Sequence, residues 1–528
     1  MKRLNKFLLG TLAGLLALWP PIFFSASGVQ DPWMFLQLSS VQRVLQTGSF
    51  TTPAVGGPLP TPAFTSMITI LTLVLNVPVW NIQFLPIHGF LLPLAYYTMC
   101  KELGRSRPMA MTMTLLMMFS VGTGSSFYST WVHGWGFVLF PIYIWSYSKY
   151  LRKPDVRMVG ILTLLLVAVF FYSYTVNVWM VMLSILAAVP PLVSQRRFPV
   201  RSGLSLAMAA LAITLGFNRV IYDVYLATKR FALLDSPSVF VSKYFPWFVP
   251  QTRTPYQYVL LNPWFSLSNV LLVGTLIVTV VALLIHLLRQ IRWQGLATST
   301  QGRIALAMAL SAPVDMALYA SAGVVTPRYV LFLYPAVIAT LTSMMLGAAS
   351  MANQKSRSAL ETSRTRFTEG PHRAKSSLVI MFLLIILIGS SAFSLAIRWT
   401  TANPTHSLTF FREYDSVSNW MLGNAAGESY TADLAVGFKI VFDGSTTGRS
   451  GQYFPMNETS YAAIVSSGSG QRPSEFAILS WGAPRIDGEN WEQFRSWRDY
   501  QAQIGSNPAW NLVYSDGLTS VLSQIPPG

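Results

Sequence analysis

Asp31 is the only acidic residue between Met1 and Lys101, and it stands in Asp31-Pro32-Trp33 directly after an apolar stretch. It can cap a helix that begins at Pro32, or serve as the lone carboxylate of its region. Arg219, Lys229, Arg230, Lys243 and Arg253 fall together between residues 218 and 263. Arginine suits bidentate contact with phosphate. Each of these chains equally suits a charge reaching to water or lipid headgroups. Asp315 lies inside an apolar run, and Arg328 opens the next one with Tyr329 beside it. A carboxylate in hydrocarbon is costly unless paired, so Asp315 and Arg328 are natural partners. A phosphate-binding role suits Arg328 as well. His133, at the end of an apolar run, can reach a polar cavity. His88, His286, His372 and His406 look incidental, and no histidine pair has metal-ligand spacing.

The elements that must position these residues are apolar. The chain has 528 residues, of which 52% are hydrophobic and 11% charged, against about 25% charged in soluble domains. Runs near spanning length, about 20 residues, lie at 7–26, 82–100, 107–124, 128–148, 157–173, 175–194, 203–217, 264–288, 303–323, 328–349 and 377–397. The first run follows Lys2, Arg3 and Lys6 and reads as an uncleaved span in preference to a signal peptide. Basic connectors follow alternate runs, as in cytoplasmic loops. With Met1 inside, the chain after residue 397 lies outside. Placing the positive charge in short loops between apolar runs also removes the nucleic-acid reading of the net charge of +17. The stretch 61–78, after Pro60 and Pro62, has no flanking charge and reads as a juxtamembrane or re-entrant helix. Counting it as a span with inverted loops is the alternative.

Two segments stand on the outer side within this region, 27–60 and 218–263. In the first, Met34, Leu38, Val41 and Leu45 recur at helical spacing, with Gln37, Ser40 and Arg43 between them and Gly48 at the end. That pattern suits an amphipathic helix at a membrane interface. After residue 400 twelve acidic residues stand against seven basic ones. There Leu434–Phe442, Tyr461–Val465, Phe476–Trp481 and Asn511–Tyr514 read as strands, and Phe411–Met421 and Trp491–Ile504 as helices. The fold expected is mainly α: a polytopic transmembrane helical bundle of about 11–13 spans over 1–397, with a small extracytoplasmic α/β domain over 398–528.

Asp31-Pro32-Trp33, the helix to Gly48, the proline-flanked stretch near 60–78 and the span into Lys101-Glu102-Leu103-Gly104 resemble the N-terminal half of the GT-C glycosyltransferases. Those include oligosaccharyltransferases, protein mannosyltransferases and lipid A aminoarabinose transferases. Thr326-Pro327-Arg328-Tyr329 opening a late span is similar too, as is a tail closing in Leu512-Val513-Tyr514-Ser515-Asp516-Gly517. The resemblance implies a multi-pass protein of the cell membrane that takes a sugar from a polyprenyl-phosphate donor. The acceptor, a glycan, lipid or protein, lies on the outer face. It gives Asp31 the role of general base toward the acceptor hydroxyl. His133, Arg219, Lys229, Lys243, Arg253, Arg328 and Tyr329 are then the candidates for binding substrate, and Asp315 for substrate or structure.

The chain also departs from that pattern. The tail has no Trp-Trp-Asp-Tyr-Gly run, which disfavours protein N-glycosylation. Asp31 is followed by Pro32 where mannosyltransferases pair Asp with Glu. The turn 122–135 offers Ser125, Tyr128, Thr130 and His133 but no acid, so a carboxylate site for a divalent metal lacks a clear ligand set. No cofactor is required by the sequence. Two other classes remain. A lipid-linked glycan polymerase or ligase of the O-antigen type leans on outer Arg and His. A flippase places ionisable groups at the midplane and shows repeats; only Asp315 fits, and no repeat is visible. No Walker-type or dinucleotide-binding loop occurs, which disfavours an ATP-driven pump.

Overall fold

A computed structural model describes residues 32–49, 62–82, 87–121, 132–195, 200–215, 263–290, 293–320, 330, 332–346, 381–383, 385–390, 404–432, 434–449, 451–455, 474–480, 510–516 and 519–524. The chain divides into two compact units. One takes Met1–Ala17, Pro86–Tyr128 and His133–Thr401; the other takes Leu18–Leu85, Ser129–Val132 and Ala402–Gly528. In chain order the second unit opens with α1 (Pro32–Thr47), α2 (Pro62–Leu75) and α3 (Val79–Ile82).

The first unit is helical. It contains α4 (Ile87–Gly104), α5 (Arg107–Val121), α6 (Val132–Arg152), α7 (Val156–Tyr172), α8 (Tyr174–Gln195), α9 (Val200–Leu215), α10 (Pro263–Gln290), α11 (Trp293–Thr298) and α12 (Thr300–Ala320). Two shorter apolar helices follow, α13 (Phe332–Leu346) and α14 (Met381–Ser390). Helices thus stand where the apolar runs lie, but they do not bear out a polytopic transmembrane bundle. Among the described residues one helix, Leu271–Arg289 within α10, is long and apolar enough to cross a membrane by length and composition. The other apolar helices have 10–17 residues. A helix of 17 residues such as α7 rises only about 25 Å, short of the roughly 30 Å of a bilayer's hydrocarbon. The longer helices dilute their apolar character, as where α6 closes in Ser146-Tyr147-Ser148-Lys149.

Within this unit α8 is the hub, packed on α7, α9, α11 and α12. It carries Pro190 and Pro191 in its interior. Proline has no N–H, so Pro191 leaves the carbonyl four residues back, Ala187, without its helical donor. Arg303 of α12, 5% exposed, donates to that oxygen from Nε at 3.1 Å and Nη2 at 3.0 Å. A second irregular point is bridged similarly. The Tyr96 hydroxyl of α4 donates to the Phe332 carbonyl (2.6 Å) and accepts from the Ala336 amide (3.1 Å). These two backbone groups are four residues apart, the spacing of a helical hydrogen bond. The hydroxyl therefore pins the opening turn of α13 beside Pro335. The Tyr96 and Phe332 rings also meet edge-on, with centroids 5.4 Å apart. Tyr96→Phe keeps the ring and strands both groups. We expect it to cost about 1–3 kcal/mol, read as a lower thermal unfolding midpoint; an unchanged midpoint would refute the bridge.

The tail of the second unit holds α15 (Pro404–Asn424), β1 (Ser429–Ala432), α16 (Leu434–Thr447), β2 (Gln452–Pro455), β3 (Phe476–Ser480), β4 (Trp510–Ser515) and β5 (Thr519–Gln524). The sheet order is β2-β1-β3-β5-β4. β1 runs parallel to β2 and β3, and β5 antiparallel to β3 and β4. Parallel neighbours need a crossover, and α16 supplies it between β1 and β2. Leu434–Phe442, expected as a strand, is therefore helix. A short apolar run cannot tell a buried strand from a buried helix. Val436 and Ile440, one helical turn apart, are buried. Gly437 meets the Tyr453 ring of β2 where any Cβ would overlap it, so α16 lies close on the sheet.

β3, β4 and α15 fall where strands and a helix were expected. The strand at Tyr461–Val465 and the helix at Trp491–Ile504 lie outside the described residues. The β4–β5 hairpin is closed by Asp516, whose Oδ1 accepts from the Thr519 amide at 2.6 Å and hydroxyl at 2.9 Å.

Candidate functional site

The best-defined feature around the Asp31 segment is the seat of α1. The helix begins at Pro32, as the proline suggests, and stops at Gly48, whose φ of +67° is the left-handed conformation that ends helices. Leu38, Val41 and Val44 recur along one face and are buried. Of the stripe expected to lie in a membrane interface, Leu38 and Val41 are covered by protein and Leu45 is half-buried, while the Met34 side chain lies outside the described residues; α1 packs on α16, and also on α2 and α3. Gln46 Nε2 donates to the Ser445 carbonyl at 2.6 Å. Ser445 is in the last turn of α16, where carbonyls have no helical donor. The α1 side chain thus caps the carboxyl end of the tail's crossover helix.

On its other side α16 is held by charge. Lys439 Nζ pairs with Asp415 Oδ1 of α15 at 2.8 Å and with Asp443 Oδ2 one turn along α16. The Ser418 hydroxyl of α15 donates to the same Asp443 oxygen at 2.6 Å. Lys439 is 11% exposed and Asp443 21%, so the pairing is less screened than a surface ion pair. Trp420 of α15 lies against Tyr514 of β4 (5.4 Å between centroids) and Phe476 of β3 (6.4 Å). Helix α15 therefore ties α16 to the sheet, and α1 joins the same assembly.

A pair of carboxyls sits at the amino ends of the parallel strands β1 and β3. Glu475 Oε2 accepts from the Ser429 amide (3.1 Å), and the Glu475 amide donates to Ser429 Oγ (3.0 Å). Hydrogen bonding to Glu475 pushes the Glu428 carboxyl above the usual range, while the bond from Glu428 and the Ser429 amide hold Glu475 below it. One proton between the two side chains accounts for both directions. Ligands of open α/β sheets gather at the opposite, carboxyl ends of the strands, so this pair serves the fold. Its two contributions have opposite signs. That of Glu428 is full below the ordinary carboxylate range and is lost as pH rises through its raised value. That of Glu475 is full above that range and is lost as pH falls through its lowered value. Glu428→Gln supplies a donor at every pH. It should leave the unfolding midpoint at pH 7 no lower than wild type and flatten its change between pH 4 and 7. A lower midpoint at pH 7 would show that the shared proton is not the link.

Of the residues singled out in the sequence, Asp31, Arg219, Lys229, Lys243, Arg253, Arg328 and Tyr329 lie outside the described residues. Asp31 immediately precedes α1. His133 falls in the first turn of α6 and Asp315 within α12. The side chains of both lie outside the described residues. Among the described residues no group of three or more His, Cys, Asp or Glu is placed to hold a metal ion. Sequence reasoning missed Tyr96, Arg303 and Lys439. Pro191 inside a helical run was the available signal for Arg303, because that proline frees a carbonyl that something must satisfy; the run around Phe332 held no comparable signal for Tyr96. Comparison of the chain with protein-family models and with curated proteins finds no match.

Proposed function

We propose that the chain is a membrane glycosyltransferase moving a sugar from a polyprenyl-phosphate-linked donor to an acceptor on the outer face of the membrane. The observation that supports this reading most is the seating of α1 on α16. The helix headed by Asp31 and the acidic tail belong to one compact unit. The resemblance to the GT-C enzymes gives that tail to the outer side, and Asp31 directly precedes the helix seated on it. The resemblance of the Asp31 segment to the first outer loop of the GT-C enzymes then supplies its role.

In the reaction the Asp31 carboxylate accepts the proton of the acceptor hydroxyl as its oxygen attacks the anomeric carbon. The bond from that carbon to the phosphate oxygen breaks, the polyprenyl phosphate leaves with the electron pair, and the anomeric configuration inverts. Arg219, Lys229, Lys243, Arg253 and Arg328 provide the cations for the donor phosphate. His133 and Tyr329 are the candidates for contacting the sugar or acceptor, and Asp315 for substrate or for a structural pair with Arg328.

The test is direct. The purified full chain in lipid vesicles is given radiolabelled polyprenyl-phosphate sugars and an envelope-glycan acceptor fraction. The label should move from organic-soluble lipid to a water-soluble or larger product. Movement of intact labelled lipid across the bilayer, with no bond broken, would replace the transferase with a transporter.

A further inference from the structure

Helix α2 is buried at one end and bare at the other. Phe64, Thr65, Ile68 and Thr69 are buried. One turn later Ile70, Leu73, Val74 and Leu75 are 59%, 66%, 74% and 46% exposed. At Asn76 the backbone turns through a φ of +49°, and the chain returns in α3, where Val79 and Ile82 are buried again. The segment is a hairpin with both limbs anchored and an apolar apex at 73–78.

We infer that this apex inserts into the acyl-chain boundary of a lipid bilayer and anchors its unit to the membrane surface. Three observations favour lipid over water or a protein partner. Four large apolar side chains within two helical turns form a patch, unlike the single exposed residues that are ordinary on protein surfaces. There is no Asp, Glu, Lys or Arg anywhere between Arg43 and Lys101, so no charge along this stretch has to be desolvated on entering lipid. The same chain also holds a helix, Leu271–Arg289, apolar and long enough to cross a membrane by length and composition. The bare turn of α2 is about 5 Å long, which matches the roughly 5–10 Å depth of interfacial elements. The inference does not depend on the transferase reading.

Depth-resolved quenching tests it. The single native cysteine, Cys100, is buried, so labels go to new sites. Leu73→Cys and Val74→Cys are each labelled in the full chain with a polarity-sensitive fluorophore; Gln452→Cys, at an exposed position of the edge strand β2, is the water reference. In phosphatidylcholine vesicles the first two should emit at shorter wavelength. They should be quenched several-fold more by nitroxide on the acyl chains than by aqueous iodide, with the reverse order at residue 452. Iodide quenching equal to that at residue 452 would overturn the inference. Protection from both quenchers would overturn it too, and would put a protein surface over the apex. Sugar transfer in the same vesicles is scored separately, so failure of either reading leaves the other standing.

Discussion

Asp31→Asn is expected to lower sugar transfer by about 10²–10⁴-fold, the usual worth of a positioned general base, while the chain still folds and inserts. The choice of asparagine is what makes the result decisive. Asparagine caps helices about as well as aspartate, so the start of α1 and its seat on α16 are preserved. What is lost is the capacity to accept a proton. If Asp31 does nothing but cap α1, the variant keeps full activity and an unchanged unfolding midpoint. If the carboxylate is the base, activity falls and the midpoint does not. Asp31→Ala separates the roles from the other side: it removes the cap as well, and should add about 0.5–2 kcal/mol of instability to the same loss of rate. An active Asp31→Asn combined with inactive Arg253→Ala and His133→Ala would move the chemistry to the basic outer stretch, as in a glycan polymerase or ligase.

Local signals in the sequence carried further than global ones. Pro32 and Gly48 mark the two ends of α1 because each restricts the backbone at its own position. Phe476 and Asn511 head runs that do form β3 and β4. What the pattern could not reveal was partnership. The stripe through Leu38 and Val41 has the same spacing whether it meets lipid or a helix some 400 residues away. Only the fold shows that α16 covers it. Leu434–Phe442 failed for a related reason. Its residues are apolar enough for a buried strand, and only the parallel pairing of β1 with β2 demands that a crossover helix stand there. The bundle of spans failed on length and composition together: among the described residues only Leu271–Arg289 is both long and apolar enough to cross a membrane. Short strands such as Ser429–Ala432 and Gln452–Pro455 carry too few apolar residues to be noticed, and their pairing comes from the sheet. The candidate site was legible as a set of residue types. Its geometry was not, because Asp31 and the basic residues come from stretches far apart in sequence.

Arg303→Met should destabilise the helical unit by about 2–4 kcal/mol, because it leaves a buried carbonyl without a donor. The argument starts from Pro191, whose ring nitrogen cannot donate to Ala187. Two guanidinium hydrogen bonds replace the missing helical one. Methionine fills similar volume, so the loss reports the hydrogen bonds more than a cavity. The link to proline gives a second, sharper measurement. Pro191→Ala restores an N–H that can reach Ala187, so it should recover part of what Arg303→Met loses. In a double-mutant cycle of thermal or denaturant unfolding, the two changes should couple by about 1 kcal/mol or more. Changes that do not share a partner add to within about 0.3–0.5 kcal/mol, so simple additivity would mean that Arg303 does not act through this carbonyl. Coupling would mean that Pro191 in α8 is tolerated because a cation on α12 completes its backbone.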